Sequence, residues 1–318
     1  MPGLNYAEVW NKDLLNILIQ DSLTSPFIAS NVKWTGAKTF HFTQMQTSGY
    51  KAHSRQGGWN RGEYEQNDVP YTVTHDRDIE FLVDKADVDE TNATASIKNI
   101  AETFHKTQQA PEIDAYFYSK VAQKALTLDG YHSSTAEADW TKANVYSKLK
   151  AMLGAGKLRR YVKNGSLICY VRSFIMDLLE SAEDFTRKIE MTQISEGGIG
   201  LETRVTEING VTLMEVIDDE RFYDKFDFTD GFVPVAKDTA KSIAGAHRIN
   251  VLIASLETVK TVPKISSIYY FAPGAHTEGD GWLYQDRSLS DTFIFPNGKD
   301  NKVDSIYVDI DTTEYEAE

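Results

Sequence analysis

Two runs of alternating apolar and polar residues, separated by a long glycine-bearing polar stretch, constrain this chain more than any other feature. In the first run Val32, Trp34, Phe40 and Phe42 share one parity, and Lys33, Thr35, Thr39, His41 and Thr43 share the other. The second places Val69, Tyr71, Val73, Ile79, Phe81 and Val83 on one face, with Thr72, Thr74, Asp76, Asp78, Glu80 and Asp84 opposite. A period of two is the pattern of a half-buried strand. Between the runs lie roughly 25 residues, far more than the two to five of an ordinary hairpin loop. They include Gly49, Gly57, Gly58, Gly62, Lys51, Arg55, Arg61 and Glu63. The runs predict a two-stranded arm. A strand of about 13 residues reaches ~40 Å at ~3.3 Å per residue, against a radius of gyration near ~20 Å for a compact chain of this length. A straight arm therefore protrudes, and its apolar face has to be buried on something outside its own domain.

The rest of the chain supplies a body for that arm. With 318 residues and 41% hydrophobic content it can build a real core. Leu4, Ala7, Trp10, Leu14, Ile17 and Leu18 recur at helical spacing, so an amphipathic segment is expected before Pro26. Thr91 or Asn92 can cap a helix carrying Ile97, Ile100, Ala101 and Phe104. Pro111 then opens a second, with Ile113, Phe117 and Val121 aligned. Ser134 and Glu137 have capping-box spacing ahead of Trp140, Val145, Leu149, Met152 and Leu153, and GAG at 154–156 stops that helix. The strand LICYVRS and the helix FIMDLLESA follow. Asn209-Gly210, between TRVTEI and VTLMEV, is a two-residue hairpin signal. The last 70 or so residues read as strands. The fold class is α+β.

Charge and motifs exclude several functions. With 47 acidic against 33 basic side chains the formal net charge is −14, which disfavours tight nucleic-acid binding. No stretch approaches the ~18 apolar residues of a membrane span, and no export signal is visible. A lone cysteine, Cys169, rules out an intramolecular disulfide and reads as a small buried hydrophobe. GAGKL lacks the first glycine and the final Ser or Thr of a phosphate loop. DVDET lacks the glycine and distant glutamate of a calcium loop. GGIGLE reads as a flexible loop rather than a dinucleotide turn. The seven histidines show no metal-ligand grouping. No cofactor, metal or catalytic residue is expected.

Three features coincide: the long arm with its basic, glycine-containing tip, the helix pair after it, and the C-terminal stretch DGWLYQDRSLSDTFIFPNGKDNKVDSIYVDI. Together they resemble the major capsid proteins of tailed double-stranded DNA bacteriophages. HDRDIEFLVDKADVDET is similar to the returning strand of that family's extended loop. Asp280, Gly281 and Trp282, then Arg287 and Asp291 before TFIF, are similar to its C-terminal segment, although Leu289 and Ser290 stand where Tyr-His is frequent.

The resemblance implies a tailed-phage major capsid fold. Its parts would be an N-arm over 1–30, an E-loop over 31–84, a P-domain over 85–128 and 250–318 with a spine helix, and an A-domain over 129–249. It implies no catalysis. It implies self-assembly through pentamers and hexamers into an icosahedral head, made in the bacterial host cytoplasm and found in the virion. The partners it implies are other copies of the chain, a separate scaffolding protein, a portal, a decoration protein and packaged double-stranded DNA held without sequence specificity. The inter-subunit contact candidates are Trp10, Lys51, Arg55, Trp59, Arg61, Glu63, Val73, Ile79 and Phe81. On a polar loop Lys51 reads first as a solvated charge rather than a cross-linking site. Two other classes stay open at this point: a phage tail or surface-binding β protein, and a soluble hydrolase whose carboxylates converge only in the fold.

Overall fold

In the computed structural model the alternating runs become three strands rather than two. The structure describes residues 22–29, 34, 36, 38–53, 57, 59–84, 97–163, 165–182, 189–190, 193–196, 199–202, 205–238, 241–275, 280–297 and 302–316. The expected N-terminal helix, Val32 and the DVDET stretch lie outside these residues. β1 (Thr39–Thr47) and β2 (Tyr64–Thr72) pair antiparallel from Thr39↔Thr72 to Thr47↔Tyr64. The chain then leaves the hairpin, and β3 (His75–Asp84) joins another sheet. Specific hydrogen bonds fix the break. The Val73 N–H donates to the Lys38 carbonyl at 2.9 Å, while the Thr74 N–H and hydroxyl both donate to Asp291 at 3.0 and 2.8 Å. The returning strand is thus divided at Val73 and Thr74, and the hairpin is shorter than residues 31–84.

After β3 come α1 (Ile97–Phe104), a π-helical turn (His105–Gln109) and α2 (Ala110–Leu126), one continuous helical run where two helices were expected. Pro111 explains the irregular turn. It has no N–H to donate, and its ring crowds a carbonyl of the preceding turn. The wider turn absorbs that defect, with the Ala110 N–H reaching back five residues to the His105 carbonyl. Buried Asp114 on α2 then captures the N-terminal side of the chain. It accepts hydrogen bonds from the Ser22 hydroxyl (2.7 Å), the Leu23 N–H (3.1 Å), the Thr24 N–H (3.1 Å), the Thr24 hydroxyl (2.7 Å) and Arg221 (3.1 Å). Phe27 follows in a 3-10 turn and packs on Phe117 with ring centroids 4.6 Å apart.

The body is a three-layer sandwich. β4 (His132–Ser134), α3 (Val145–Leu153), α4 (Arg159–Val162), β5 (Leu167–Arg172) and α5 (Ser173–Glu180) are followed by β6 (Ile189–Glu190), β7 (Gln193–Glu196), β8 (Ile199–Glu202), β9 (Val205–Ile208) and β10 (Val211–Val216). β11 (Phe226–Asp227), β12 (Val233–Pro234), β13 (His247–Ser255), β14 (Val259–Phe271), β15 (Gly281–Ile294) and β16 (Ile306–Glu314) complete the chain. The central sheet has the order β4-β16-β13-β5-β10-β9-β6. Strand alternation divides its side chains. Ile168, Tyr170, Met214, Leu252, Ala254 and Val308 face Phe117, Val121 and Ala125 of α2. Cys169, Val171, Leu213, Val251 and Ile253 face Leu149, Met152, Ile175, Met176 and Leu179. Each fully buried Leu, Ile, Val or Phe contributes about 1.5–3 kcal/mol.

Three local expectations change. Ser134 ends β4 and Glu137 sits in a 3-10 turn, where its carboxylate pairs with buried Arg172 at 3.1 Å, so α3 begins only at Val145 and the capping box does not form. GGIGLE is not a loop throughout, because β8 pairs with β7. The boundary drawn at 249/250 crosses a continuous sheet, since β13 and β16 lie beside β5. The Asn209-Gly210 turn forms as expected between β9 and β10, with φ of 52° and 80°.

Candidate assembly surface

The hairpin is built at its base like a protein core and toward its tip like a surface. Phe40 and Tyr71 face each other across the ladder and stack, with centroids 5.7 Å apart. Phe293 approaches Phe40 edge-on at 5.1 Å, and Phe295 stacks on Phe42 at 4.4 Å. Trp34 closes the group, lying 5.5 Å from Phe40 and under the Lys264 ammonium at 4.0 Å. Aromatic pairs of this kind add about 0.5–1.5 kcal/mol each beyond area burial. Ion pairs brace the same base. Asp76 accepts two hydrogen bonds from Arg287, at 3.1 and 2.9 Å, and one from Lys38 at 3.0 Å. These cations hold its carboxyl down at about 2.

Beyond the base the ribbon has no core of its own. Nine-residue strands reach ~30 Å at ~3.4 Å per residue. Met45 and Tyr64 are exposed along them. A two-stranded ribbon alone is marginally stable in water. The tip closes by polar contacts: the Ser48 N–H donates to the Glu63 carbonyl (2.8 Å), the Glu63 N–H to the Ser48 hydroxyl (2.9 Å), Lys51 to the Arg61 carbonyl (3.1 Å) and the Asn60 amide to the Ala52 carbonyl (2.8 Å). Tyr50 is fully exposed and Trp59 is 95% exposed. Among the described residues neither Lys51 nor Arg61 has a carboxylate partner. Polar closure leaves the large side chains free to meet another surface.

The structure therefore brings Lys51, Trp59, Arg61 and Glu63 together at one exposed tip. Trp10 and Arg55 lie outside the described residues. Val73, Ile79 and Phe81 are corrected. Their face is covered within the chain, because the strand that carries Ile79 and Phe81 leaves the arm. Val73 is buried with Phe40, Val262 and Leu289. Phe81 packs with Val83, Ile97 and Ala101 on α1, 5.5 Å from Phe104, while Ile79 is half-buried on the same side of β3. Sequence reasoning missed Tyr50, Met45 and Tyr64 as exposed apolar groups. Their signal was large side chains in otherwise polar surroundings. It also missed the fastening of the hairpin by Asp291 and Asp76, which residue spacing does not reveal.

Three buried carboxylates elsewhere are held by hydrogen bonds within the chain. Asp309 accepts from Ser133 (2.5 Å), Thr135 (2.8 Å) and Asn250 (2.9 Å), and Asp224 accepts the His247 N–H at 2.6 Å. Asp286 sits under the π turn, where Tyr284 donates to it at 3.3 Å and also lies 2.9 Å from His105. None of the three lines the groove of about 1030 Å³ beside Tyr223 and Arg248. Among the described residues no cluster of three or more His, Cys, Asp or Glu could hold a metal, and no helix is long and apolar enough to cross a membrane.

Burial pushes the Asp286 carboxyl up to about 6, above the roughly 4 of an unfolded aspartate. The folded state thus binds this proton more tightly. Its contribution to stability is fully present below about pH 4 and is lost as the pH rises through about 6. Asp286→Asn should stabilise the protein by about 2–3 kcal/mol at pH 7.5 and by roughly half of that at pH 5. Urea unfolding of the isolated chain at the two pH values checks this, and a larger gain at pH 5 would contradict the burial assignment.

No family profile matches the chain, and no curated protein matches it. Solved structures do. The chain is similar to the mature capsid of bacteriophage PhiM1, with a TM-score of 0.58 and 11% identity over 92% of this chain and 87% of that one. It is similar to the capsid of cyanophage P-SCSP1u (TM-score 0.56, 9% identity, 93% and 89% covered). The head structure of Helicobacter pylori bacteriophage KHP40 gives a TM-score of 0.54 at 10% identity, with 93% and 91% covered. The fold is therefore that of the tailed-phage capsid structures, in which the long helix and its sheets fall into place.

Proposed function

We propose that the chain is a shell-forming subunit of a tailed-phage head, with no catalytic role. On this reading copies associate through pentamers and hexamers into an icosahedral shell around double-stranded DNA, with a separate scaffolding protein and a portal. The observation that carries it is the hairpin: ~30 Å of ribbon without its own core, ending in exposed Tyr50 and Trp59, on a fold shared with capsid chains over 92% of its length. Such an arm gains its stability from a neighbouring copy. The net charge of −14 suits an inner wall against which DNA lies without adhering. The contacts around such a ring are heterologous and close on themselves.

Deleting residues 46–66 should leave a folded subunit or capsomer that no longer closes shells. Light scattering and negative-stain microscopy, with and without co-expressed phage scaffolding protein, read the outcome. Unchanged shells would remove the hairpin from the assembly, and a wild-type chain that is monomeric under both conditions would remove the shell reading itself.

A further inference from the structure

We propose that a basic face formed by α3 and α4, made of Lys150, Arg159 and Lys163, holds the phosphate backbone of double-stranded DNA without reading its bases. This rests on the shell reading for the presence of DNA and names where the subunit touches it. Charge is spread unevenly along the chain. Residues 142–163 carry seven basic side chains and no acidic one, in a chain with 47 acidic against 33 basic. The segment is a local exception to the acidic balance of the whole.

The fold gathers three of these cations. α3 turns Val145, Leu149, Met152 and Leu153 into the core, which leaves Lys150 exposed on its flank. The GAG turn then brings Arg159 back to the end of α3. Gly154 makes room for it, since a Cβ there would lie 3.1 Å from the Arg159 guanidinium and 3.3 Å from the Lys150 carbonyl. Arg159 thus rests against the last turn of α3, whose carbonyls favour a cation. α4 buries Tyr161, and Lys163 follows four residues after Arg159, on the same side of the turn. Among the described residues none of the three has a carboxylate partner. Neighbouring Arg160 differs, because it pairs with Asp304 at 3.1 Å, and Tyr161 donates to the other oxygen of that carboxylate at 2.7 Å.

The face is cationic without being apolar. None of the large hydrophobic side chains exposed among the described residues falls within 142–163. A protein partner draws its affinity from buried aromatic and apolar anchors, which this face does not offer. A phosphate backbone needs only cations, because each phosphate neutralised releases a counterion. Three contacts per copy hold weakly. Many copies facing one polymer add up, so DNA is seated in place without any subunit gripping it tightly.

Fluorescence anisotropy of a labelled duplex of about 30 base pairs, titrated with the full chain between roughly 50 and 200 mM salt, reads both affinity and salt dependence. Three phosphates predict a slope of about −2.7 in log K against log salt, a loss of about fortyfold over that range. Lys150→Gln with Arg159→Gln should bring the slope to about −0.9 and weaken binding at low salt at least about tenfold. Lys150→Gln with Lys163→Gln should do the same while leaving Arg159 at the end of α3, so a lower melting temperature in the first variant does not decide the result. Lys98→Gln with Lys106→Gln, exposed on the helical run before α2, should bind like wild type. An equal loss in that control, an unchanged slope in both face variants, or no binding by wild type at about 50 mM salt overturns the face. Poly-glutamate held more tightly than the duplex at equal charge overturns it in favour of an acidic protein partner. Each of these failures leaves the shell reading standing if wild-type particles form. A chain that stays monomeric removes the shell reading whatever the duplex titration gives.

Discussion

Asp114→Ala is expected to destabilise the subunit by about 3–5 kcal/mol, the largest effect of any single substitution considered. Four donors from residues 22–24 and the Arg221 guanidinium converge on this one carboxylate, and Asp114 is completely buried. Removing it leaves the Leu23 N–H without its acceptor and takes from a mostly buried guanidinium its buried carboxylate partner, although Arg221 keeps Asp218 at 3.1 Å and the Thr24 N–H keeps the Ser22 hydroxyl at 3.3 Å. Asp114→Asn should cost less, about 2 kcal/mol, because one oxygen remains while the amide opposes at least one donor. Urea unfolding of dissociated subunits measures both. A loss below about 1 kcal/mol for the alanine variant would mean that residues 22–24 are held by other contacts.

Asp291→Ala should cost about 3 kcal/mol and, unlike Asp114→Ala, should impair assembly beyond its effect on stability. Asp291 is buried on β15, and one oxygen accepts both the N–H and the hydroxyl of Thr74. The other accepts from Tyr116 on α2 at 2.8 Å and from the Thr292 N–H at 2.8 Å. One side chain thus ties the hairpin's exit, the long helix and the sheet together. Its loss frees the hairpin to swing about Val73 and Thr74, which, on the proposed shell role, dilutes the orientation that the tip needs to meet a neighbour. Faster amide exchange at Val73 and Thr74, with the central sheet unchanged, would be the local signature. Global loosening of the central sheet would instead assign Asp291 to core stability alone.

Much of the architecture was legible because it rests on period. The antiparallel pairing of the runs around Phe40 and Tyr71, the stripe Phe117–Val121, the strand around Cys169 and the Asn209-Gly210 turn follow from spacing and backbone preference, whereas the register Phe40↔Tyr71 and the extension of the ladder to Thr47↔Tyr64 do not. What stayed hidden depends on partners distant in sequence. Val69 to Val83 keeps one parity throughout, so nothing local marks the break at Val73. Asp291, some 217 residues away along the chain, creates it. Pro111 signalled a helix start by composition, yet tertiary packing on both sides kept the helix continuous through a π turn. For the candidate surface, the tip residues were readable as a cluster of aromatic and cationic side chains in a polar loop.

Cys169 has one further use. It is the chain's single thiol, sits mid-strand in the central sheet with no exposure, and burial pushes its thiol well above the ordinary range. A thiol reagent therefore meets it only when β5 separates from β13 and β10. The native protein carries its own clock for the opening of its core. On the proposed shell role, the rate of labelling compared between free chains and closed particles would report how much slower that opening becomes once neighbours are in place.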